Sequence, residues 1–542
     1  MEEPVSVSVK KISTGHRWYR TRKELYNQVR HQVRLRLGPS YGELKSYEQR
    51  YSQEFSGRWE LSSMAELLNA IQRTDVVVGG DFHVFAQAQR THLRILRALP
   101  ANLPVVLVME CFESNHQKYL DAYISDQLTE DEFLAKVEWS ERWGFPWHHY
   151  RPLMELAKKR KYKVRGANRH FKAQTLSTLN RRDQHAAKVV QDAYQKHQDH
   201  LIYVIYGDLH LAHNHLPQQL REVLGKKVNT LIVFQNSEKL YFQLSRRGEE
   251  HDFDVLKRSS NRFCVQSSPP WVKWQTYLMY LDENHDVDLE DEEDDAIDYT
   301  DYLSAQIRFL LKDLEIQLKV DDIEVYTPKD DELWDRLEKD LQVDPLRRVE
   351  YLASQDRSFF LPSEGLFYFS RISLNHAAEL AGQYIQAKLT KRSLNPSQYP
   401  RDFEAQVWLE GLGFFSSKMV NHKRKAENIT DFKSKIVGQT NTDCLHQALL
   451  LALDQRMIEF MSDHLAGKTI ERKIRPRSFK VYVEAARLLG QMFGDRLFES
   501  YRDGEVSQQD VADVFKTDIS SSEFKTVYYR WMKRLEEFGD PL

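Results

Sequence analysis

The chain has 542 residues but only three cysteines, Cys111, Cys264 and Cys444, which lie far apart and form no CxxC pair. That spacing argues against a disulfide framework and a thiolate zinc site, and it suits a reducing compartment. Long apolar runs are also missing. Nothing approaches the roughly 18 consecutive apolar residues of a membrane span, and the best stretch, Ala448–Leu453, is short. The opening MEEPVSVSVKKISTGHRWYR lacks the apolar block of a secretory signal, so the expected location is cytoplasmic. Charge of either sign is not in excess: 77 Lys and Arg face 80 Asp and Glu, a formal net charge of −3. A general attraction to nucleic acid or anionic lipid is therefore not expected. No internal repeat is evident. What is present is 41% hydrophobic and 12% aromatic residues, enough for stable cores. At about 150 residues per domain the length suggests two to four domains.

Four regions can be read. Residues 1–60 form a basic, helix-prone extension: nine Lys and Arg between Lys10 and Arg36 face only Glu24. This is an arm for an acidic partner or, more simply, a packed helix with a solvated face. Residues 61–281 alternate short β-branched runs with amphipathic stretches. The runs are DVVVGG (75–80), PVVLVME (104–110), YKVRGAN (162–168), LIYVIYG (201–207) and NTLIVFQ (229–235). Unbroken apolar strands separated by helices predict a mostly parallel sheet flanked by helices. KLYFQLS and RFCVQSS are read as antiparallel edge strands. Residues 282–301 carry twelve acidic side chains and are read as a linker. Asp282, Asn284, Asp286 and Glu293 fall on EF-hand positions, but Val287 stands where the loop demands Gly, so a solvated linker is the better reading. Residues 302–542 read as a mainly helical C-terminal domain, with one hairpin in SFFLPSEGLFYF and a solvated basic loop from Lys468 to Lys480.

The chemistry concentrates where three strands end. DVVVGG is followed by Asp81-Phe82-His83, PVVLVM by Glu110, and LIYVIYG by Asp208-Leu209-His210. The carboxyl ends of parallel strands share one edge, and ligands bind there. In extended backbone, residues i and i+2 face one side, so Asp81 with His83, and Asp208 with His210, can point into one pocket. The preceding glycines let the chain turn sharply out of the strand. Two imidazoles and a carboxylate, His83, Glu110 and His210, match the ligands of a zinc or non-haem iron site. The alternative is that each Asp caps a helix and each His bonds a backbone group. Twelve of the twenty histidines lie between His83 and His215, which favours a site. A second feature, EWSERWGFPWHHYRP (138–152), spaces Trp139, Trp143 and Trp147 by four and runs into His148, His149, Tyr150 and Arg151. It either walls a pocket for a flat ligand, with Tyr or His able to ligate iron, or packs as core.

In order, Gly80-Asp-Phe-His83, Met109-Glu110, Trp147-His-His-Tyr150-Arg151-Pro152, Asn168, Arg182-Asp183, Gly207-Asp-Leu-His210 and His215-Leu-Pro217 resemble the ChaN-like haem-binding domain. Its superfamily also holds Tiki metalloproteases and erythromycin esterases. The resemblance spans about residues 70–240. It implies a parallel α/β fold and either haem binding or metal-dependent hydrolysis. In the ChaN-like case, Tyr150, His149, Trp147, Arg169 and His215 join the rim as cofactor-binding residues. In the Tiki-like case, His83, Glu110 and His210 hold a divalent ion such as iron or zinc, whose bound water falls toward a pKa of about 7. Asp81 or Asp208 would then act as base, and Arg151 or Arg169 would stabilise developing charge. Relatives usually carry Glu where this chain has the shorter Asp81. A third expectation is an interaction protein on the same fold without chemistry, with the helical half meeting a protein partner.

Overall fold

A computed structural model describes residues 6–37, 42–171, 175–283, 299–320, 323–328, 330, 332–371, 373–392, 403–437, 443–461 and 478–538. Most of the acidic segment, with the EF-hand-like positions Asn284, Asp286 and Glu293, and most of the basic loop fall outside these residues. The chain divides into two compact units, one of residues 1–21 with 286–542 and one of residues 22–285. Residues 22–60, read above as part of a separate extension, thus belong to the second unit. No described helix is long and apolar enough to cross a membrane. The three cysteines are free.

The unit of residues 22–285 is built on eight strands: β1 (Glu60–Ser62), β2 (Val76–Asp81), β3 (Val105–Glu113), β4 (Lys163–Asn168), β5 (Leu201–Gly207), β6 (Thr230–Gln235), β7 (Val255–Ser259) and β8 (Arg262–Val265). Their order in the sheet is β1-β7-β8-β6-β2-β5-β3-β4. From β8 through β4 every neighbouring pair is parallel, while β7 is antiparallel to both β8 and β1. The five strand runs read from the sequence are all present. RFCVQSS supplies β8, which pairs parallel with β6 as well as antiparallel with β7. KLYFQLS is instead the helix Glu238–Ser245, with Leu240, Tyr241, Phe242 and Leu244 buried. Its apolar positions fit helical spacing as well as alternation, and length alone does not separate the two.

The strands are apolar throughout because both sheet faces are covered. Val77, Leu107, Met109, Tyr203 and Val233 enter one core, while Val76, Val78, Val106, Val204 and Ile232 enter the other. This is the two-residue alternation of side chains across a strand. The adjacent Gly79 and Gly80 serve opposite faces. A Cβ on Gly79 would lie 2.2 Å from His92 Cε1, and one on Gly80 would lie 2.2 Å from Asp208 Oδ1. Neither Gly80 nor Gly207 adopts positive φ, so the chain leaves these strands without using the left-handed region that glycine favours. These glycines are needed for close approach instead.

In the other unit, helices Leu374–Thr390, Phe403–Val420 and Phe479–Asp503 form a core. Gly490 and Gly494 bring the third helix against Gly411 of the second, where Trp408 stacks on Phe493 at 4.9 Å. The hairpin read from SFFLPSEGLFYF is there, as β10 (Phe359–Leu361) and β11 (Leu366–Tyr368); β9 (Glu324–Tyr326) adds to it in parallel.

Candidate functional site

The carboxyl ends of the adjacent strands β2, β5 and β3 deliver Asp81, Gly207 and Glu110 to one place. β3 does not end at Glu110. It runs on to Glu113 with a register shift after Met109, and its pairing with β5 stops at Met109. Freed from the ladder, Glu110 turns its carboxylate across the gap, where Oε2 accepts the Gly207 N–H at 2.5 Å. A Cβ on Gly207 would meet Glu110, His210 and His83 at 3.1–3.4 Å, so these three groups surround one backbone position.

The two histidines are held alike. His83 Nδ1 lies 2.9 Å from Asp81 Oδ2. His210 Nδ1 lies 2.6 Å from Asp183 Oδ1, on the helix Leu176–Lys196. With each Nδ1 directed at a carboxylate oxygen, each ring turns its Nε2 toward Glu110. Those Nε2 atoms stand 3.9 Å and 4.0 Å from the two oxygens of Glu110. Each aspartate is anchored by a tyrosine: Tyr150 donates to Asp81 at 2.9 Å, and Tyr47 donates to Asp183 at 2.6 Å. Gln89 also donates to Asp81. Two Tyr–Asp–His chains thus converge on one glutamate.

Glu110 is buried, and Arg182 is ion-paired with its Oε1. Burial alone would raise the Glu110 pKa. The charges of Arg182, His83 and His210 and the Gly207 N–H outweigh it, and the group stays below the usual carboxylate range. Burial pulls His83 down, but its bond to Asp81 and the charges of Asp81 and Glu110 leave it above its ordinary value. Asp208 is different. Burial, opposed by Lys273 and helped by Asp81, pushes it up to about 7.

This rim floors an open cavity of about 940 Å³, near the top of the range for small-molecule sites. Trp143 and Phe145 contact the His83 ring at 4.5 and 5.0 Å, and Phe82 packs against Trp274 and Tyr277, all lining the cavity. Helix residues 22–37 and 42–53 form another wall, carrying Lys23, Tyr26, Arg30 and Tyr47.

Of the residues singled out from the sequence, His83, Glu110, His210, Asp81, Asp208 and Arg169 line this cavity. Tyr150 does not: it is 1% exposed, and its hydroxyl is committed to Asp81. Burial with the Asp81 charge raises its pKa well above the ordinary value, and the hydroxyl's contact is with Asp81. Trp147, partly buried, packs against Trp139, Phe112 and Phe133 at the edge of the core; among the spaced tryptophans only Trp143 lines the cavity. His149 turns to the backbone oxygen of His83, and burial lowers it to about 4. His215 stacks on Tyr47 at 3.6 Å behind the site. Arg151 is at the surface, ion-paired with Glu130 and Glu155, and does not line the cavity.

Asp208 does not pair with His210. After Gly207 the chain enters a 3-10 turn, which breaks the i, i+2 relation and sends Asp208 under Gly80. Sequence reading missed the roles of Asp183, Arg182, Tyr47 and Gln89. The Arg182-Asp183 pair was visible as a motif, but nothing local marked Tyr47. Among the described residues no group of three or more His, Cys, Asp or Glu side chains is disposed to hold a metal ion. Arg182 takes up the glutamate charge that a cation would use.

Residues 67–175 match the family described as "Haem-binding uptake, Tiki superfamily, ChaN". The match includes His83, Glu110 and Tyr150, while Asp183, Gly207 and His210 lie beyond it. No curated protein matches. A solved structure described as cofacial heme binding to ChaN of Campylobacter jejuni aligns with 32% of this chain and 86% of its own, at 14% identity and a TM-score of 0.25. At that score it adds no argument.

Proposed function

With residues 67–175 carrying a ChaN-type segment of the Tiki superfamily, we propose that the α/β unit binds haem in the cavity at the carboxyl rim of its sheet. The observation that carries this reading is the pair of carboxylate-backed imidazoles opening into a large, aromatic-walled, cation-rich cavity. The residues present fit such a group. Trp143 and Phe145 offer flat apolar surface beside His83, and Arg169 and Lys23 offer positive charge to acidic substituents. When bound, haem supplies an iron centre that takes nitrogen or oxygen donors. His83 is the donor best presented, with 23% of its side chain exposed against 7% for His210. Asp81 holds the His83 ring and its tautomer, and Tyr150 and Gln89 hold Asp81. Asp183 and Tyr47 do the same for His210. Titration of the purified protein with hemin tests the reading. A saturable Soret shift is expected; a free-hemin spectrum at every ratio would sink it.

A second reading is hydrolysis on a divalent ion held by His83, Glu110 and His210. Carboxylate-backed histidines favour it, because metal-bound histidines are oriented in that way. The Arg182–Glu110 pair opposes it. Asp81, already bonded to His83, Tyr150 and Gln89, serves there as a support and not as a base. Stoichiometric zinc or iron in the native protein, without haem, would favour this reading over the first.

A further inference from the structure

The cavity wall supplied by residues 22–55 lies outside the family match and carries its own chemistry. We propose that Lys23, Arg34 and Arg246 form a carboxylate-recognition subsite, so that the cavity selects a planar macrocycle bearing carboxylates over its neutral ester. The proposal rests on the haem-class reading above and deepens it.

Lys23, Tyr26, Arg30, Arg34 and Leu37 all line the cavity. Their spacing of three or four residues makes them one stripe of the helix Ser6–Leu37. Within the stripe Arg30 is committed: it pairs with Glu48 at 2.9 Å and lies 3.6 Å over the Trp274 ring. Lys23 and Arg34 flank it. The Lys23 ammonium sits 3.9 Å over Phe242 and 4.8 Å over Tyr26. It is half-buried, and burial with the neighbouring Arg246 charge lowers its pKa; Glu238 only partly opposes this. Glu238 is itself taken, accepting from Lys273 at 3.0 Å and from the Trp274 indole at 2.7 Å.

A carboxylate arriving in the cavity adds a counter-charge beside the half-buried Lys23 ammonium and favours its charged form. The aromatic rings beside them suit the edge of a flat ring system, and the cations suit its acidic arms. The stripe, together with Phe242 and Arg246 from the helix Glu238–Ser245 and its C-cap, presents both surfaces that a carboxylated macrocycle needs.

The test uses the full-length protein and two metal-free probes, protoporphyrin IX and its dimethyl ester, with binding followed by fluorescence. Leaving out iron separates carboxylate recognition from imidazole ligation. The native protein is expected to bind the acid at least about tenfold more tightly than the ester. The triple variant Lys23→Gln, Arg34→Gln, Arg246→Gln is expected to lose that preference. The charge-preserving set Lys23→Arg, Arg34→Lys, Arg246→Lys is expected to keep it. Unchanged circular dichroism and melting would show that the variants fold. Equal binding of acid and ester by the native protein overturns the proposal, as does a preference that survives the Gln variant. Hemin binding with no acid preference leaves the haem reading standing and defeats only this inference. Failure of hemin and both porphyrins to bind defeats both.

Discussion

His210 gives its Nδ1 to Asp183, 2.6 Å away on the helix Leu176–Lys196, and not to Asp208 two residues before it. The site therefore depends on a helix packed beside the sheet as much as on the strand ends. It also depends on Tyr47, which holds the other oxygen of Asp183. Asp183→Asn should weaken hemin binding severalfold. It should also cost about 1–3 kcal/mol of stability, the penalty for disturbing a buried charge-assisted hydrogen-bond pair. Chemical denaturation beside a hemin titration measures both, and unchanged affinity would remove Asp183 from the site.

Tyr150→Phe should separate support from ligation. The hydroxyl is buried against Asp81 and Gln89, away from the cavity. The variant should lose about 1–2 kcal/mol of stability while the Soret maximum of the hemin complex stays in place. A moved maximum would mean that Tyr150 reaches the iron.

Asp208 gives a pH signature. Its pKa rises on folding from 3.8 to about 7, so the folded state binds the proton more tightly than the unfolded chain. The stability from that proton is full below about pH 4 and is lost as pH rises through 7. Asp208→Asn is neutral at every pH. Its advantage over the native protein should therefore be small at pH 4, grow toward pH 7 and then level off, on the order of a few kcal/mol. Parallel melting curves at pH 5 and pH 8 that show no change in the gap would contradict this.

The helical unit offers a packing test. A Cβ on Gly494 would lie 2.3 Å from the Gly411 carbonyl oxygen, a backbone atom that cannot swing aside. Gly494→Ala should lower the melting temperature through a loss of about 1–3 kcal/mol or more. Gly504→Ala is a useful contrast. There the penalty comes from backbone conformation at φ +80, with nothing within 4 Å of the new methyl group.

The sheet was legible because its strands are buried on both faces and read as unbroken β-branched runs; periodicity reports that burial directly. His83, Glu110 and His210 were legible because parallel strands share a carboxyl edge. Asp208 and His210 share the cavity as read, but the hydrogen-bond partner of His210 was not legible. It turns on the chain entering a 3-10 turn at Asp208, which no spacing rule supplies. Tyr150, His149 and Trp147 stood beside one another in sequence, yet a helix sends them to different places: core, backbone contact and aromatic cluster. The basic stripe at residues 23–34 was visible as charge, but its place in the cavity wall is supplied only by the tertiary structure.

The most direct measurement of the central claim is haem and metal analysis of the native protein beside the double variant His83→Ala, His210→Ala, with each titrated with hemin. Saturable binding with a shifted Soret band in the native protein, and a free-hemin spectrum or at least a tenfold weaker complex in a folded double variant, is the predicted result. Identical hemin spectra and affinities for the two proteins would contradict it.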